Sequence, residues 1–305
     1  MEKHKIHWTI RHLEKPEEME QIEALQRVIW PDRELDIVPA HLLLAIIQNG
    51  GLVFGAYLQD GKPTAEEVLL GSEIPLLTDP LIGFVFGFPG FYTTPDGPRP
   101  KHCSHLLGVQ PQYQDQGVGF ALKRAQWQMV RHQGLDRITW TFDPLSSKNA
   151  YLAITRLGAV SSAYLRDAYG SRGEDLSQGL PSDRLQIDWW VNSKRVERRL
   201  SRRPRLQLDL AHFLSAGARI LNPSVPKPGM LPHPAPVEDL DQLLSGVSGD
   251  DERVLLLEIP PDFDALKAAD GALAQAWRNH TRDLFEGLFA RGYLVTDFIH
   301  LPGQM

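Results

Sequence analysis

Hydrophobic positions along this chain switch between a period of two and a period near three and a half, and each switch marks an element. Ile6 to Ile10 alternates as a first strand. Pro16 stands where first-turn prolines stand, ahead of Ile22, Leu25, Val28 and Ile29 at helical spacing. A second short helix is expected over Ala40 to Gln48, ending at Asn49-Gly50-Gly51. Leu52 to Leu58 and Leu81 to Phe88 read as strands. The segment between them, Asp60 to Asp79, is longer than a hairpin turn requires and reads as an insertion.

The clearest pattern lies in the middle of the chain. An apolar, strand-like run holding Leu106, Leu107 and Val109 leads into Pro111, and then into Gln114-Asp115-Gln116-Gly117-Val118-Gly119. An amphipathic helix follows at once. Val118, Leu122, Ala125 and Met129 share one face, Lys123, Arg124, Gln128 and Arg131 lie off it, and Gly134 is the expected stop. Ile138, Trp140 and Phe142 then alternate with Thr139, Thr141 and Asp143 as a second strand. The first amides of a helix have no partner inside it and carry the positive end of its dipole. Gly117 and Gly119 lack a Cβ and so permit both the turn and the close approach of an anion.

Downstream, Asn149 precedes a short helix ending in Leu157-Gly158-Ala159, and Leu185, Ile187, Trp189 and Val191 alternate as a strand. A polar, glycine-containing loop occupies Tyr169 to Asp183. Composition then shifts. Lys194 to Arg205 is dense in basic residues with Glu197 its only acid, and Pro223 to Pro236 holds six prolines and reads as an extended connector. Beyond it, Val254 to Ile259 is strand-like, Leu273, Trp277, Leu284 and Leu288 mark one face of a long helix, and Tyr293 to Ile299 reads as a closing strand. The turn Pro260-Pro261-Asp262-Phe263-Asp264 has prolines and acids where an anion would need free amides. This second strand-helix-strand is therefore expected to pack on the first or to build a homodimer contact. The expected division is 1–200, a connecting region over 201–236, and a small α/β domain over 237–305.

At 305 residues the chain exceeds the size at which single cores stop growing. Hydrophobic content of 42% with 23% charged residues disfavours disorder and coiled coil. A net charge of −6 gives no global attraction to nucleic acid, and no aromatic residue interleaves the arginines of 194–205 as a nucleic-acid groove would need. That basic segment reads instead as a solvated helix or domain junction. A single cysteine, Cys103, excludes an intramolecular disulfide framework and a cysteine-rich zinc site, consistent with a reducing cytoplasm. The N-terminal residues are too charged for a signal sequence, and no apolar run approaches the ~20 residues needed to span a bilayer.

The order strand, Val-x-Pro-x-Tyr, Gln-x-x-Gly-x-Gly, helix, strand, then Asn149 and Leu157-Gly158-Ala159, resembles the acyl-CoA-binding core of the GNAT N-acetyltransferase superfamily. Ser104-His105, Thr139 to Pro144, Asn149-Ala150 and Gly179 to Arg184 are similar to a little-characterised branch with a C-terminal extension. The good match covers residues 102 to 191. It implies an α/β (α+β) fold with a central mixed twisted sheet, acetyl-CoA or another acyl-CoA as co-substrate, no metal, and an amine of a small molecule or peptide as acceptor. The amides of Gln116, Gly117, Val118 and Gly119 would face the CoA pyrophosphate, with Gln114 and Asp115 also counted among the cofactor-binding residues of this loop. The strand edge Leu107, Gly108, Val109 would hold the pantetheine, Asn149 would reach the cofactor, and the Tyr169 to Asp183 loop would border the acceptor. Gln114 stands where many relatives have Arg, so it donates a hydrogen bond without the charge.

Acyl transfer needs the amine deprotonated and the leaving thiolate protonated. His105 is the first candidate base, because alternation with Leu107 and Val109 puts it on their face of the strand and an imidazole titrates near neutrality. Asp143 is the next, unless it caps the turn before Pro144. The tyrosine that commonly acts as the acid falls, by counting back from Leu157-Gly158, at Ile154. Tyr151, three residues earlier on the same expected helix face, is the substitute, with Tyr164 and Tyr169 behind it. The alternative to an enzyme is a CoA-binding module with little or no catalysis.

Overall fold

The alternation of the first sixty residues builds the strands it predicts. In the computed structural model, which describes residues 6–59, 79–170, 179–201, 208–224, 231–235 and 254–301, β1 (His7–His12) pairs antiparallel with β2 (Leu52–Gln59). β2 pairs antiparallel with β3 (Leu81–Thr94), and β3 with β4 (Gly97–Val109). The last two are longer than expected. They continue past Phe88 as a hairpin closing at Thr94 opposite Gly97, where the Thr94 hydroxyl donates to the Gly97 carbonyl at 2.7 Å and Gly97 takes a φ of 109°. β5 (Arg137–Phe142) lies parallel to β4. Antiparallel strands joined to a parallel one make the expected mixed sheet of an α+β protein.

By internal contacts the chain divides into two compact units, residues 1–140 with 190–192, and residues 141–189 with 193–305. The division falls inside β5 and does not follow the composition shifts near 200 and 236.

In the first unit, α1 (Pro16–Ile29) starts at Pro16, and α2 (Ala40–Gln48) ends at Asn49 with Gly50 at a φ of 82°. Their apolar faces cover the sheet through Leu13, Met19, Ile22, Leu43, Phe84 and Phe86. Buried Gln26 fixes the connection by exchanging two 2.9 Å bonds with the backbone of Val38. The helix after the glycine loop, α3 (Val118–His132), buries Val118, Leu122 and Val130.

In the second unit a short helix, α4 (Ser147–Ala150), runs directly into a π-helical turn over Tyr151–Arg156. β6 (Val160–Leu165) and β7 (Arg184–Trp190) pair antiparallel, with Leu185, Ile187 and Trp189 buried as their alternation predicts. α5 (Lys194–Leu200) carries part of the basic segment, and two of its arginines face protein. Arg195 donates to the carbonyls of Gly158 and Thr296, and Arg199 pairs with Asp297 at 2.9 Å.

Beyond that, the expected strand-helix-strand does not form. Residues 254–259 contribute only β9 (Leu255–Leu256), parallel to β8 (Arg219–Ile220), which follows α6 (Leu210–Ser215). Residues 293–299 contribute a single bridge, Val295 with Ser161. Both partners come from outside 254–305, so alternation within that stretch could not reveal them. The helical stretch is two helices, α7 (Phe263–Ala269) and α8 (Gly271–Ala290), divided at Asp270, whose carboxylate accepts from the Leu273 amide at 2.9 Å and starts α8.

Residues 60–78 of the expected insertion, 171–178 of the glycine-containing loop, 202–207 of the basic segment, and 225–230 and 236 of the connector lie outside the described residues. Among the described residues no helix is long and apolar enough to cross a membrane.

Candidate functional site

β4 leaves its parallel neighbour early. Its ladder with β5 comprises His102 opposite Ile138 and Cys103 opposite Thr139, and goes no further. From Ser104 to Val109, β4 keeps its partner β3 on one edge. The other edge, holding Leu107, Gly108 and Val109, is thus open to a ligand's hydrogen bonds.

That edge ends at a helix start shaped by positive φ. Asp115 has φ 61° and Gly117 φ 87°, and no side chain caps α3. A left-handed residue costs ~1–2 kcal/mol for a side chain other than glycine, so Gly117 answers to the turn. Gly119 does not. A Cβ there would meet Leu107 and Val109 only at ordinary contact distances of 3.8 and 3.9 Å, so nothing inside the protein requires its absence. The first helical bond runs from the Ala121 amide to the Gly117 carbonyl, 3.0 Å. The amides of Val118 and Gly119 precede it and have no carbonyl of α3 to meet, as expected of an anion cradle.

Two of the loop's side chains are engaged locally. Gln114 donates from Nε2 to the Val109 carbonyl and Gln116 to the Gln112 carbonyl, both at 3.1 Å. Gln114 therefore braces the strand end in this arrangement. Whatever an anion receives here comes mainly from backbone amides.

His105 is not on the face that alternation assigns to it. Phe86 lies opposite Leu106, but Gly87 lies opposite Ser104, so His105 is the extra residue of a β-bulge. Ser104, Leu107 and Val109 face α3: Ser104 bonds Lys123, and the other two lie beside Gly119. The His105 ring instead lies beside Phe86 and Phe88, with centroids at 5.4 and 5.7 Å. The residue is exposed, yet these rings strip water from the imidazole and hold its pKa below the ordinary value. It is neutral at pH 7, as a base must be.

The α3 side holds a polar cluster that the helical pattern misplaced. Lys123, expected off the apolar face, is 3% exposed. Its Nζ donates to Ser104 Oγ at 2.7 Å and to Gln126 Oε1 at 3.4 Å, and lies 4.0 Å from the centre of the Trp140 ring. The Gln126 amide nitrogen lies 3.1 Å from His102 Nε2, which places the ring proton on Nδ1. No carboxylate pairs with Lys123 in this cluster, and burial pushes its pKa down to about 7. Burial, with Lys123 nearby, pushes His102 down to about 3.

This has a measurable consequence. Between pH 7 and the unfolded value near 10.5 the unfolded chain binds the Lys123 proton and the folded chain does not. Stability contributed by this site therefore rises with pH across that window, and the full cost of the buried charge is present below it. From pH 7 to 9, wild-type unfolding free energy should rise by about 2–3 kcal/mol more than that of Lys123→Met, read from denaturant midpoints. Parallel pH profiles for the two proteins would contradict it.

The remaining candidates belong to the second unit. Asp143 accepts from the Leu145 amide at 2.9 Å and so does cap its turn. It is also gripped by Arg278, whose Nη1 and Nη2 lie 2.8 and 2.6 Å from its two oxygens. Both of its oxygens are thus occupied by hydrogen bonds. Asn149 is exposed on α4, with its backbone amide on Ser146 Oγ at 3.5 Å. Tyr151 is half-buried and opens the π-turn. There bonds reach five residues back, as from the Leu157 amide to the Leu152 carbonyl, so Tyr151 and Ile154 do not stack as an i, i+3 pair of an α-helix would. Ile154 is fully buried. Tyr164 donates to buried Asp183 at 2.7 Å, and burial with that bond raises its pKa far above the usual phenol value. The Tyr169 hydroxyl lies 3.4 Å from that of Thr141.

No protein-family model and no curated protein matches the sequence. Solved structures do. An aminoglycoside 6′-acetyltransferase type Ii matches at 16% identity and a TM-score of 0.42, over 61% of this chain and 99% of that one. The ribosomal-protein-S18-alanine N-acetyltransferase from Escherichia coli matches at 14% and 0.43, over 61% and 96%. Arabidopsis thaliana NAA60, solved with acetyl-CoA, matches at 16% and 0.45, over 61% and 100%. At these identities and scores, chemistry has to be argued from this chain's own residues.

Proposed function

We propose that this protein is an acyl-CoA-dependent N-acyltransferase that moves an acetyl group from acetyl-CoA directly to a primary amine of a small molecule or peptide. The observation that carries the reading is the helix start at Gly117, where left-handed turns expose the Val118 and Gly119 amides at the end of a strand whose outer edge is open. The pyrophosphate sits on those amides. The pantetheine adds to the open edge at Leu107, Gly108 and Val109, whose backbone polarises the thioester carbonyl. Asn149 contacts the cofactor.

In the transfer, the amine nitrogen attacks the carbonyl carbon, the C–S bond breaks, one amine proton passes to a base, and the CoA thiolate takes a proton from an acid. His105 is the base, for an amine that approaches the face of β4 bearing Phe86 and Phe88 and not the face of Leu107 and Val109, and Tyr151 is the acid. Asp143 is left to hold its turn. The second reading, a CoA-binding module with little catalysis, is favoured by Ile154, a fully buried aliphatic residue where the resemblance expects a hydroxyl.

Thiol release from acetyl-CoA over a panel of amines separates the two readings. The enzyme reading expects amine-dependent release, with kcat/KM down ~10²–10⁴-fold in His105→Ala. It also expects an acid limb of the pH profile below ordinary imidazole values, absent in that variant. Saturable CoA binding with no amine giving thiol release would leave the binding module.

A further inference from the structure

From Ser104 to Val109 the open edge of β4 is the proposed seat of the pantetheine, and a buried lysine closes the inner end of that slot. Cys103 and Thr139 are the last pair of the β4–β5 ladder, and Ser104 and Trp140 are the residues that follow on the two strands. Lys123 of α3 joins them where the strands part: its Nζ donates to Ser104 Oγ at 2.7 Å and lies 4.0 Å from the centre of the Trp140 ring. Gly119 stands one turn earlier on the same side of α3, beside Leu107 and Val109 of the same strand. Four residues of helix rise ~6 Å, so with the length of its side chain the amine lies on the order of 10 Å from the amides of the phosphate cradle.

Among the described residues no carboxylate accounts for a cation in this place. The groups that face Lys123 are Ser104 and His102 from β4, Gln126 from α3 and Trp140 from β5, and none is an acid. β3 brings Gly87 against His102, and burial keeps that imidazole neutral. Arg131 of α3 lies over Trp127, Arg124 is a further ~100° round the helix, and Asp115, the acid of the loop, is exposed. An uncharged side chain such as Met would close the slot at lower cost, since a buried charge without a counter-ion is among the most expensive groups to place. Burial brings the Lys123 pKa down to about 7, so near neutrality a modest field decides whether the proton is held. The amine is already dry. An occupant of the slot therefore adds its charge and hardly any further desolvation.

Resting on the acyl-CoA reading, we infer that Lys123 is the buried cation of that site: the phosphates of bound acyl-CoA draw a proton onto its amine, so that cofactor and proton bind together. Gln114 brings no charge to the cradle, and the amides of Val118 and Gly119 bring only their dipoles. Lys123 supplies the charge from behind, without touching the cofactor. Each partner strengthens the other by the same factor, ~3–10-fold for two negative charges at this distance through protein.

Calorimetric titration of the full chain with acetyl-CoA at pH 7.5, in two buffers of different ionisation heat, counts the protons taken up on binding. The wild type should take up ~0.2–0.5 proton more than Lys123→Met. From pH 6.5 to 9 the wild-type affinity should fall ~3–10-fold further than that of the variant, because the bound form holds its proton to higher pH. Carbon-13 spectra of protein labelled at lysine Cε assign the effect: one lysine should titrate at about 7 without acetyl-CoA and at higher pH with it. If Lys123→Met does not fold, that ligand-dependent titration decides alone. No binding of acetyl-CoA would remove the acyl-CoA reading and this inference together. Binding with equal proton uptake in wild type and Lys123→Met, or a lysine titration that acetyl-CoA does not move, would overturn this inference and leave the acyl-CoA reading standing.

Discussion

Replacing Arg278 by alanine is expected to lower the unfolding free energy by about 3–5 kcal/mol, a large share of the stability of an ordinary domain. Arg278 is fully buried, and both terminal nitrogens of its guanidinium are spent on the two oxygens of Asp143. Removing the cation leaves a carboxylate in a site with 26% side-chain exposure. Arg184 stays 3.8 Å away, too far to replace the two bonds lost. The truncation also empties volume beside Phe263, whose ring lies 5.1 Å from the guanidinium carbon. Arg278→Lys keeps the charge and loses the fork, so it should fall between wild type and alanine. Asp143→Leu combined with Arg278→Met should recover part of the loss, since a buried pair replaced by apolar residues is often tolerated. Urea midpoints for the four proteins measure this, and an alanine variant within 1 kcal/mol of wild type would show the pair to be idle.

The second large effect separates binding from stability. Gly119→Asp introduces a Cβ that fits at 3.8 and 3.9 Å from Leu107 and Val109, and a carboxylate in the first turn of α3. An acid there complements the helix dipole and is worth ~0.3–1 kcal/mol to the folded protein. The same carboxylate occupies the place proposed for the pyrophosphate and repels it. The variant should melt at or slightly above the wild-type temperature without ligand, and its acetyl-CoA affinity should fall by at least ~100-fold, the worth of ~3 kcal/mol. Gly117→Asp is the instructive contrast. Its φ of 87° strains any side chain, so that variant should lose stability as well as affinity. Calorimetric titration with acetyl-CoA, alongside thermal melting, reads both quantities, and retained affinity in Gly119→Asp would sink the proposed phosphate position.

What was legible in the sequence follows from which interactions are local. Pro16, the limits of α2, the glycine loop and the alternation of Leu185, Ile187 and Trp189 each express a preference carried within a few residues, and each is found in place. The bulge at His105 was not legible. One extra residue in β4 reverses the faces on either side of it, and nothing in Cys103-Ser104-His105-Leu106 marks the insertion without the partner strand. The π-turn after Ala150 is hidden for a similar reason: α-helical spacing sets Tyr151 beside Ile154, and the wider turn does not.

Two buried cations were partly legible. Arg278 falls on the stripe of Ala274, Trp277, Thr281, Leu284 and Leu288, and a charge on an apolar stripe signals a buried partner, although Asp143 is 135 residues away. Lys123 beside Leu122 gave a weaker hint, because its partners Ser104 and Trp140 come from two different strands. The strand pairings of residues 254–299 depend on β8 and on Ser161, both distant in sequence.

The most direct test of the proposed acyl-CoA site is a ¹H–¹⁵N spectrum of protein labelled only at its 25 glycines, recorded with and without acetyl-CoA. Gly271 opens α8 and serves as an internal control for an ordinary helix start. If the pyrophosphate rests on the start of α3, the amide of Gly119 should move downfield and that of Gly117 should shift with it, while Gly271 stays in place. Saturating acetyl-CoA that leaves Gly117 and Gly119 unmoved would contradict the assignment of this loop.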